Sequence, residues 1–190
     1  MLEYDFETHD EMVELSGVAG EMLSMTVDKI ATLYLKNDKA WVIGFSGGKD
    51  STVVLSLVIQ ALKTLKKDQL TKKVYVVCSD TLVETPVVVG LIRQTLNDVQ
   101  EFADKKGIPL ITQIVIPEVG ETFWSNLLGK GYPAPTKSFR WCTERMKINP
   151  VSEFIQGTVS NHGEVIVALG SRAQESATRA QSIAKHAIKG

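Results

Sequence analysis

Six consecutive residues, Ser46-Gly47-Gly48-Lys49-Asp50-Ser51, bring together what an anion site needs. Two glycines let the backbone approach a phosphate with no Cβ in the way. Lys49 supplies a cation, and the hydroxyls of Ser46 and Ser51 supply donors. The block follows an apolar run, Trp41-Val42-Ile43-Gly44-Phe45, and precedes a helical pattern from Asp50 through Val53, Val54, Leu57, Val58, Ala61, Leu62 and Leu65. A strand, a glycine loop and a helix in that order put unpaired backbone N–H groups and the positive helix end at one point. Asp50 is the odd member. A carboxylate there repels phosphate unless Mg²⁺, or a water on it, lies between, so Asp50 is read as a metal contact. A Walker A loop is a poor match: the position five before Gly48 is Ile43, not glycine, and Asp50 stands where the Mg²⁺-holding hydroxyl belongs. An NTPase that splits off the γ-phosphate is therefore disfavoured.

Other residues can join this chemistry. Asp80 follows a second apolar run, Val74-Tyr75-Val76-Val77-Cys78, and is read either as a second catalytic carboxylate or as a helix N-cap ahead of Glu84. Glu84 itself is read as a first-turn partner of the helix dipole. Arg172 and Arg179 lie seven residues apart, two helical turns, and can share one face. They suit phosphate or acceptor contacts with Glu175 orienting one of them, or else form surface ion pairs. Arg140 and Arg145 can reach the same crevice or hold an acceptor backbone. Trp141 is read as core before base-stacking platform. His9, His162 and His186 match no metal spacing and are read as surface residues.

These residues need a scaffold that brings distant segments together. The opening stretch to about Asn37 reads as helix, with Met12, Leu15, Val18, Met22, Met25, Ile30 and Leu33 at helical spacing as a core or helix-pairing stripe. Pro86 opens a helix running to about Lys106, with Val88, Leu91, Ile92, Leu96, Val99 and Phe102 inward, closed by Gly107. Leu110 to Ile116 is a third strand, residues 118–139 are irregular, and a helix starts near Thr143. Glu164 to Leu169 is a fourth strand, and residues 170–189 read as a turn plus helix. A helix followed by repeated βα units predicts an α/β, Rossmann-like, doubly wound and mainly parallel sheet. The division is an N-terminal helical segment, 1–37, and a nucleotide-binding domain, 38–190. Parallel sheets carry their sites at the C-terminal strand ends. Ser46, Asp80 and Gly170 all fall just past such ends, so three segments converge on one crevice.

Composition narrows the class. The 190 residues are 44% hydrophobic and 23% charged, enough for a core and unlike a disordered polymer. The formal charge of −1 excludes a simple basic glove for nucleic acid. Charge is uneven: residues 1–116 carry 12 Lys/Arg against 16 Asp/Glu, and residues 117–190 carry 9 against 6. The second part holds four of the five arginines, which grip planar oxyanions well, although such charge is also what a solvated face carries. Two cysteines, Cys78 and Cys142, exclude a disulfide scaffold and a four-cysteine metal site within one chain. With no leader pattern and no apolar run of membrane length, a cytoplasmic, reducing location is expected.

Several blocks together resemble a known family. Phe45-Ser46-Gly47-Gly48-Lys49-Asp50-Ser51 is similar to the PP-loop of the adenine-nucleotide α-hydrolase-like superfamily. Ser79-Asp80-Thr81, Arg140-Trp141-Cys142-Thr143 with Lys147 and Pro150, and Gly170-Ser171-Arg172 with Glu175, Ser176 and Arg179 resemble blocks of its PAPS reductase and ATP sulfurylase branch. Within that branch the combination of Val42 to Thr52, Ser79 to Pro86, Gly131-Tyr132-Pro133-Ala134-Pro135 and Phe139 to Thr143 looks most like the DndC- and SspD-like ATP pyrophosphatases of DNA phosphorothioation, with similarity over roughly Asp38 to Gln181. The resemblance implies ATP as ligand, cleaved to AMP and pyrophosphate to activate an acceptor for sulfur incorporation. It implies Lys49, Asp50, Asp80 and Arg172 as catalytic residues. Nucleotide contacts would come from Ser46 through Ser51, Gly170, Arg172 and Arg179, with Mg²⁺ at Asp50. It implies a cysteine desulfurase and other phosphorothioation proteins as partners, with DNA as substrate at the level of a complex. Cys142 would be a ligand of a 4Fe-4S cluster whose other ligands lie outside this chain; a free thiol is the alternative. The rival readings are a PAPS reductase or ATP sulfurylase-type sulfonucleotide enzyme, and a non-catalytic nucleotide-binding assembly module. The 190 residues then read as the ATP-activating core of a longer protein.

Overall fold

The computed structural model describes residues 18–136 and 138–172, with 181, 184 and 185. Helix α1 (Val18–Leu35) leads into strand β1 (Ala40–Gly44), helix α2 (Lys49–Thr64) and strand β2 (Val74–Ser79). Helix α3 (Pro86–Lys106) and strand β3 (Leu110–Val115) follow. A short helix α4 (Trp141–Thr143) runs through a π-helical turn (Glu144–Ile148) into α5 (Asn149–His162), and β4 (Val165–Leu169) completes the sheet. The four strands pair in the order β3-β2-β1-β4, every pair parallel. The expected α/β architecture is therefore present.

Strand alternation explains the two covered faces. Trp41, Ile43, Val74, Val76 and Leu110 point into the main core with Leu55, Val58 and Leu62 of α2 and Leu96, Val99 and Phe102 of α3. Tyr75, between Val74 and Val76, points to the other face, where Phe154 of α5 meets its ring edge-on at 5.6 Å. Burial on both sides is why these strands read as continuous apolar runs.

Three details correct the sequence reading. Of the α1 stripe read as core or helix-pairing surface, Met22, Met25 and Leu33 are exposed and so not core, Ile30 packs against the core, and Ala31 and Tyr34 are buried. Met12 and Leu15 lie outside the described residues. Val88 and Leu91 of α3 are exposed instead of inward. A 21-residue helix is about 31 Å long and a six-residue strand about 20 Å, so the first turns of α3 overhang the sheet. The helix expected near Thr143 begins at Trp141, and the stretch before it holds a 3-10 turn (Val119–Glu121) and a π-helical turn (Ser125–Gly129). The expected final helix falls mostly outside the described residues. No helix among the described residues is long and apolar enough to cross a membrane.

Candidate nucleotide site

Strand order decides where the chain leaves room. From β1 the chain moves through β2 to β3, then returns across the sheet to place β4 on the other side of β1. The connection after β1 thus leads to one side of that strand and the crossover into β4 to the other, and the crevice of an open α/β sheet forms at such a switch point. Gly44 pairs with Leu169 there, so the glycine loop and Gly170 emerge side by side.

The loop is held in shape from within. Ser46 N–H donates to Ser51 Oγ at 3.2 Å, and Ser51 Oγ–H donates to the Gly48 carbonyl at 2.8 Å. Ser51 is buried, so its hydroxyl shapes the loop; the direct ligand donor expected of it is used internally. Gly48 is the N-cap of α2 with no side-chain cap, which leaves the first-turn N–H groups for a ligand. Gly47 has φ +70°, and a Cβ there would stand 2.9 Å from Ile92 of α3. Lys49 is exposed at the mouth.

The β4 end locks onto this loop. A Cβ on Gly170 would lie 2.5 Å from the carbonyl oxygen of Asp50 and 2.9 Å from the nitrogen of Ser51, so only glycine fits. Two residues on, Arg172 Nε stands 3.0 Å from both carboxylate oxygens of Asp50. Asp50 and Arg172, 122 positions apart, are thus brought together, whereas Arg179, Glu175 and Ser176 lie outside the described residues.

The β2 end joins at one remove, through Ile92. Asp80 does not cap a helix: Thr85 is the N-cap of α3. Asp80 Oδ1 accepts from Leu82 N–H at 2.9 Å, and Leu82 turns the chain at φ +62°. The other oxygen, Oδ2, lies 3.4 Å from Arg93 Nη2. Glu84, expected to sit in the first turn of α3, instead precedes the helix and accepts from the backbone N–H and hydroxyl of Thr81. Lys147 Nζ approaches it at 3.7 Å. Asp80, Glu84, Ile92 and Arg93 border a small open pocket. Sequence reasoning missed Arg93; its one signal was being the single arginine of the first 116 residues, two turns into α3 from Pro86.

The remaining candidates separate from this crevice or stand apart from catalysis. Cys78 also lines the pocket, but burial, with Asp80 and Glu84 nearby, pushes its thiol up to about 11, so it stays protonated at neutral pH. Cys142 is half-buried. Among the described residues no three His, Cys, Asp or Glu side chains form a metal-binding group. Trp141 is core: its Nε1 donates to the Pro133 carbonyl, and its ring stacks on Phe123. Arg145 is engaged by Glu121 and by the Tyr132 hydroxyl, which makes it a brace for residues 119–132. Arg140 is exposed. His162 is exposed and shares a 3.0 Å hydrogen bond with Tyr75; His9 and His186 lie outside the described residues.

Known proteins share this framework. An uncharacterized protein of Methanocaldococcus jannaschii is 32% identical over 175 residues, 92% of this chain and 32% of the relative. A second from the same organism is 31% identical over 135 residues, 71% of this chain and 26% of the relative. The chain thus spans about a third of the length of these relatives or less. Among solved structures, the U34-tRNA thiolase NcsA from Methanococcus maripaludis, determined with its [4Fe-4S] cluster, superposes with a TM-score of 0.50 at 17% identity. The match covers 89% of this chain and 50% of that one, and shows the shared fold. The model of the phosphoadenosine phosphosulfate reductase domain matches residues 40–186, from the first residue of β1 past the arginine that reaches Asp50, and the chain belongs to that family.

Proposed function

We propose that this chain is the ATP-activating domain of a sulfur-transfer enzyme, one that cleaves ATP to AMP and pyrophosphate. The observation that carries the reading is the uncapped N-terminus of α2 at the sheet's switch point, backed by Gly170. Such a terminus suits the β- and γ-phosphates and leaves the α-phosphorus open to attack. An acceptor oxygen attacks that phosphorus, its bond to the bridging oxygen breaks, and pyrophosphate leaves. A sulfur nucleophile then displaces AMP from the adenylated acceptor. The loop N–H groups, Lys49 and Arg172 would bear the charge developing on the leaving group. Asp50 is the residue that would hold Mg²⁺, which supplies further neutralisation of the phosphates. Asp80 would orient the acceptor or a metal-bound water.

For the acceptor, the combined resemblance of residues 42–52, 79–86, 131–135 and 139–143 to the phosphorothioation enzymes favours the DNA backbone, with a cysteine desulfurase as sulfur source. The structural neighbour acts on tRNA, so RNA is the competing acceptor class. The family match supports a second reading, chemistry on a sulfonucleotide. Incubation with ATP and Mg²⁺, with products resolved by chromatography, tests the core of the proposal. AMP plus pyrophosphate is the expected outcome, and ADP plus phosphate overturns it.

A further inference from the structure

The contact between Asp50 and Arg172 joins two residues that a bound nucleotide would pull apart. Asp50 stands in the first turn of α2, where a carboxylate repels phosphate. Arg172 carries the charge a phosphate needs, and its Nε faces the Asp50 carboxylate at 3.0 Å. The pair is partly exposed, 45% for Arg172 and 26% for Asp50, so water and ions reach it and it can open at low cost. The backbone beneath is fixed: Gly170 rests on the Asp50 carbonyl, and Ser51 ties the loop to Ser46 and Gly48. A rearrangement therefore falls to the two side chains.

We infer that Asp50 and Arg172 form a counter-ion exchange pair, in which a divalent cation takes over Asp50 and the released Arg172 turns to the nucleotide's phosphates. This rests on the ATP reading above and adds a reason why cation and nucleotide would bind together. Without the cation, ATP meets Asp50 already neutralised but finds Arg172 occupied. With it, both charges gain new partners, and neither is left unpaired near the α2 terminus. Binding of cation and nucleotide is then coupled through this pair, and the coupling is reciprocal.

Calorimetric titration of ATP into the protein, in excess Mg²⁺ and in EDTA, reads that coupling as a ratio of affinities. For the unaltered chain the ratio should be on the order of 10-fold or more in favour of Mg²⁺. Asp50→Asn removes the cation's partner and releases Arg172 from that carboxylate. It should bind ATP more tightly in EDTA than the unaltered chain, and its ratio should fall towards one. Arg172→Met leaves Asp50 bare, so binding in EDTA should weaken and the ratio rise. Arg172→Lys, keeping the charge, should stay near the unaltered ratio, and circular dichroism checks the fold of each variant. If the unaltered chain binds no ATP in either buffer, the nucleotide reading fails and this inference with it. If it binds and the ratio is the same in Asp50→Asn or Arg172→Met, the exchange pair alone is overturned.

Discussion

The two ends of the same parallel sheet are built to different ends. At the N-terminal edge, Tyr34 is fully buried and its hydroxyl both donates to the Lys72 carbonyl at 2.9 Å and accepts from the Lys72 N–H at 3.1 Å. Lys72, itself buried, caps the Asn37 carbonyl and lies over the Tyr34 ring. Burial lowers the Lys72 amine's affinity for a proton, with Asp38 opposing that effect, and the hydroxyl and ammonium are drawn into contacts that join α1 to β2. At the C-terminal edge, the α2 terminus is uncapped, Lys49 is exposed, and the Asp50–Arg172 pair is open to solvent. The Tyr34–Lys72 contacts stabilise the fold, although the Trp41 indole N–H beside them is buried without a hydrogen-bond partner; the unpaired donors of the α2 terminus are open to a ligand. Substitutions at the two edges should therefore fail in different assays.

The largest expected effect lies at the open edge. Lys49→Ala and Asp80→Ala should each lower pyrophosphate release by about 100-fold or more, the scale of losing one transition-state partner, while the melting temperature moves little. A loss of stability in place of activity would put these residues on the structural side of the comparison. Gly170→Ala probes the seam between the regions. Its methyl would meet backbone atoms of Asp50 and Ser51, which must move, at about 1–3 kcal/mol, and ATP affinity should fall with the displaced loop. Unchanged affinity would mean that the loop does not depend on β4.

At the closed edge, Tyr34→Phe strands the buried Lys72 N–H and carbonyl and should cost about 1–3 kcal/mol in denaturant unfolding, with ATP affinity intact. A change in affinity there would break the division of labour. The smallest effect belongs to Glu121. Hydrogen bonds from Lys130 and then Arg145 hold its carboxyl below the usual range. A depressed native pKa stabilises above the unfolded value of about 4.3, and that contribution fades as pH falls through the native value. Glu121→Gln should flatten the acid limb of the stability profile slightly, and an unaltered limb would show the brace contributes nothing.

Legibility followed locality. The glycine loop, the Pro86 start and the Gly107 end of α3 were readable, because each follows from a few neighbouring residues. Glu84 was misjudged because its partner, the Thr81 turn, depends on the left-handed Leu82, which no propensity announces. The α1 stripe left core and helix-pairing surface open, and Met22 and Met25 are not core, because helical spacing names a stripe without saying which side the rest of the fold will cover. Ser51 was read outward because its hydroxyl type suits phosphate, yet the loop's curvature turns it inward.

By itself, then, the amino-acid sequence determined the βα alternation, the buried character of β1 and β2 and the glycine loop ahead of α2, all set by short-range sterics, periodicity and glycine placement. Tertiary structure alone decided that β4 returns beside β1, that Gly170 fills the space against Asp50, and that Arg172 faces Asp50 across 122 positions. The physical reason is that strand neighbours and ion partners are chosen by whole-chain packing, and segments far apart in sequence carry no local mark of which one they will meet.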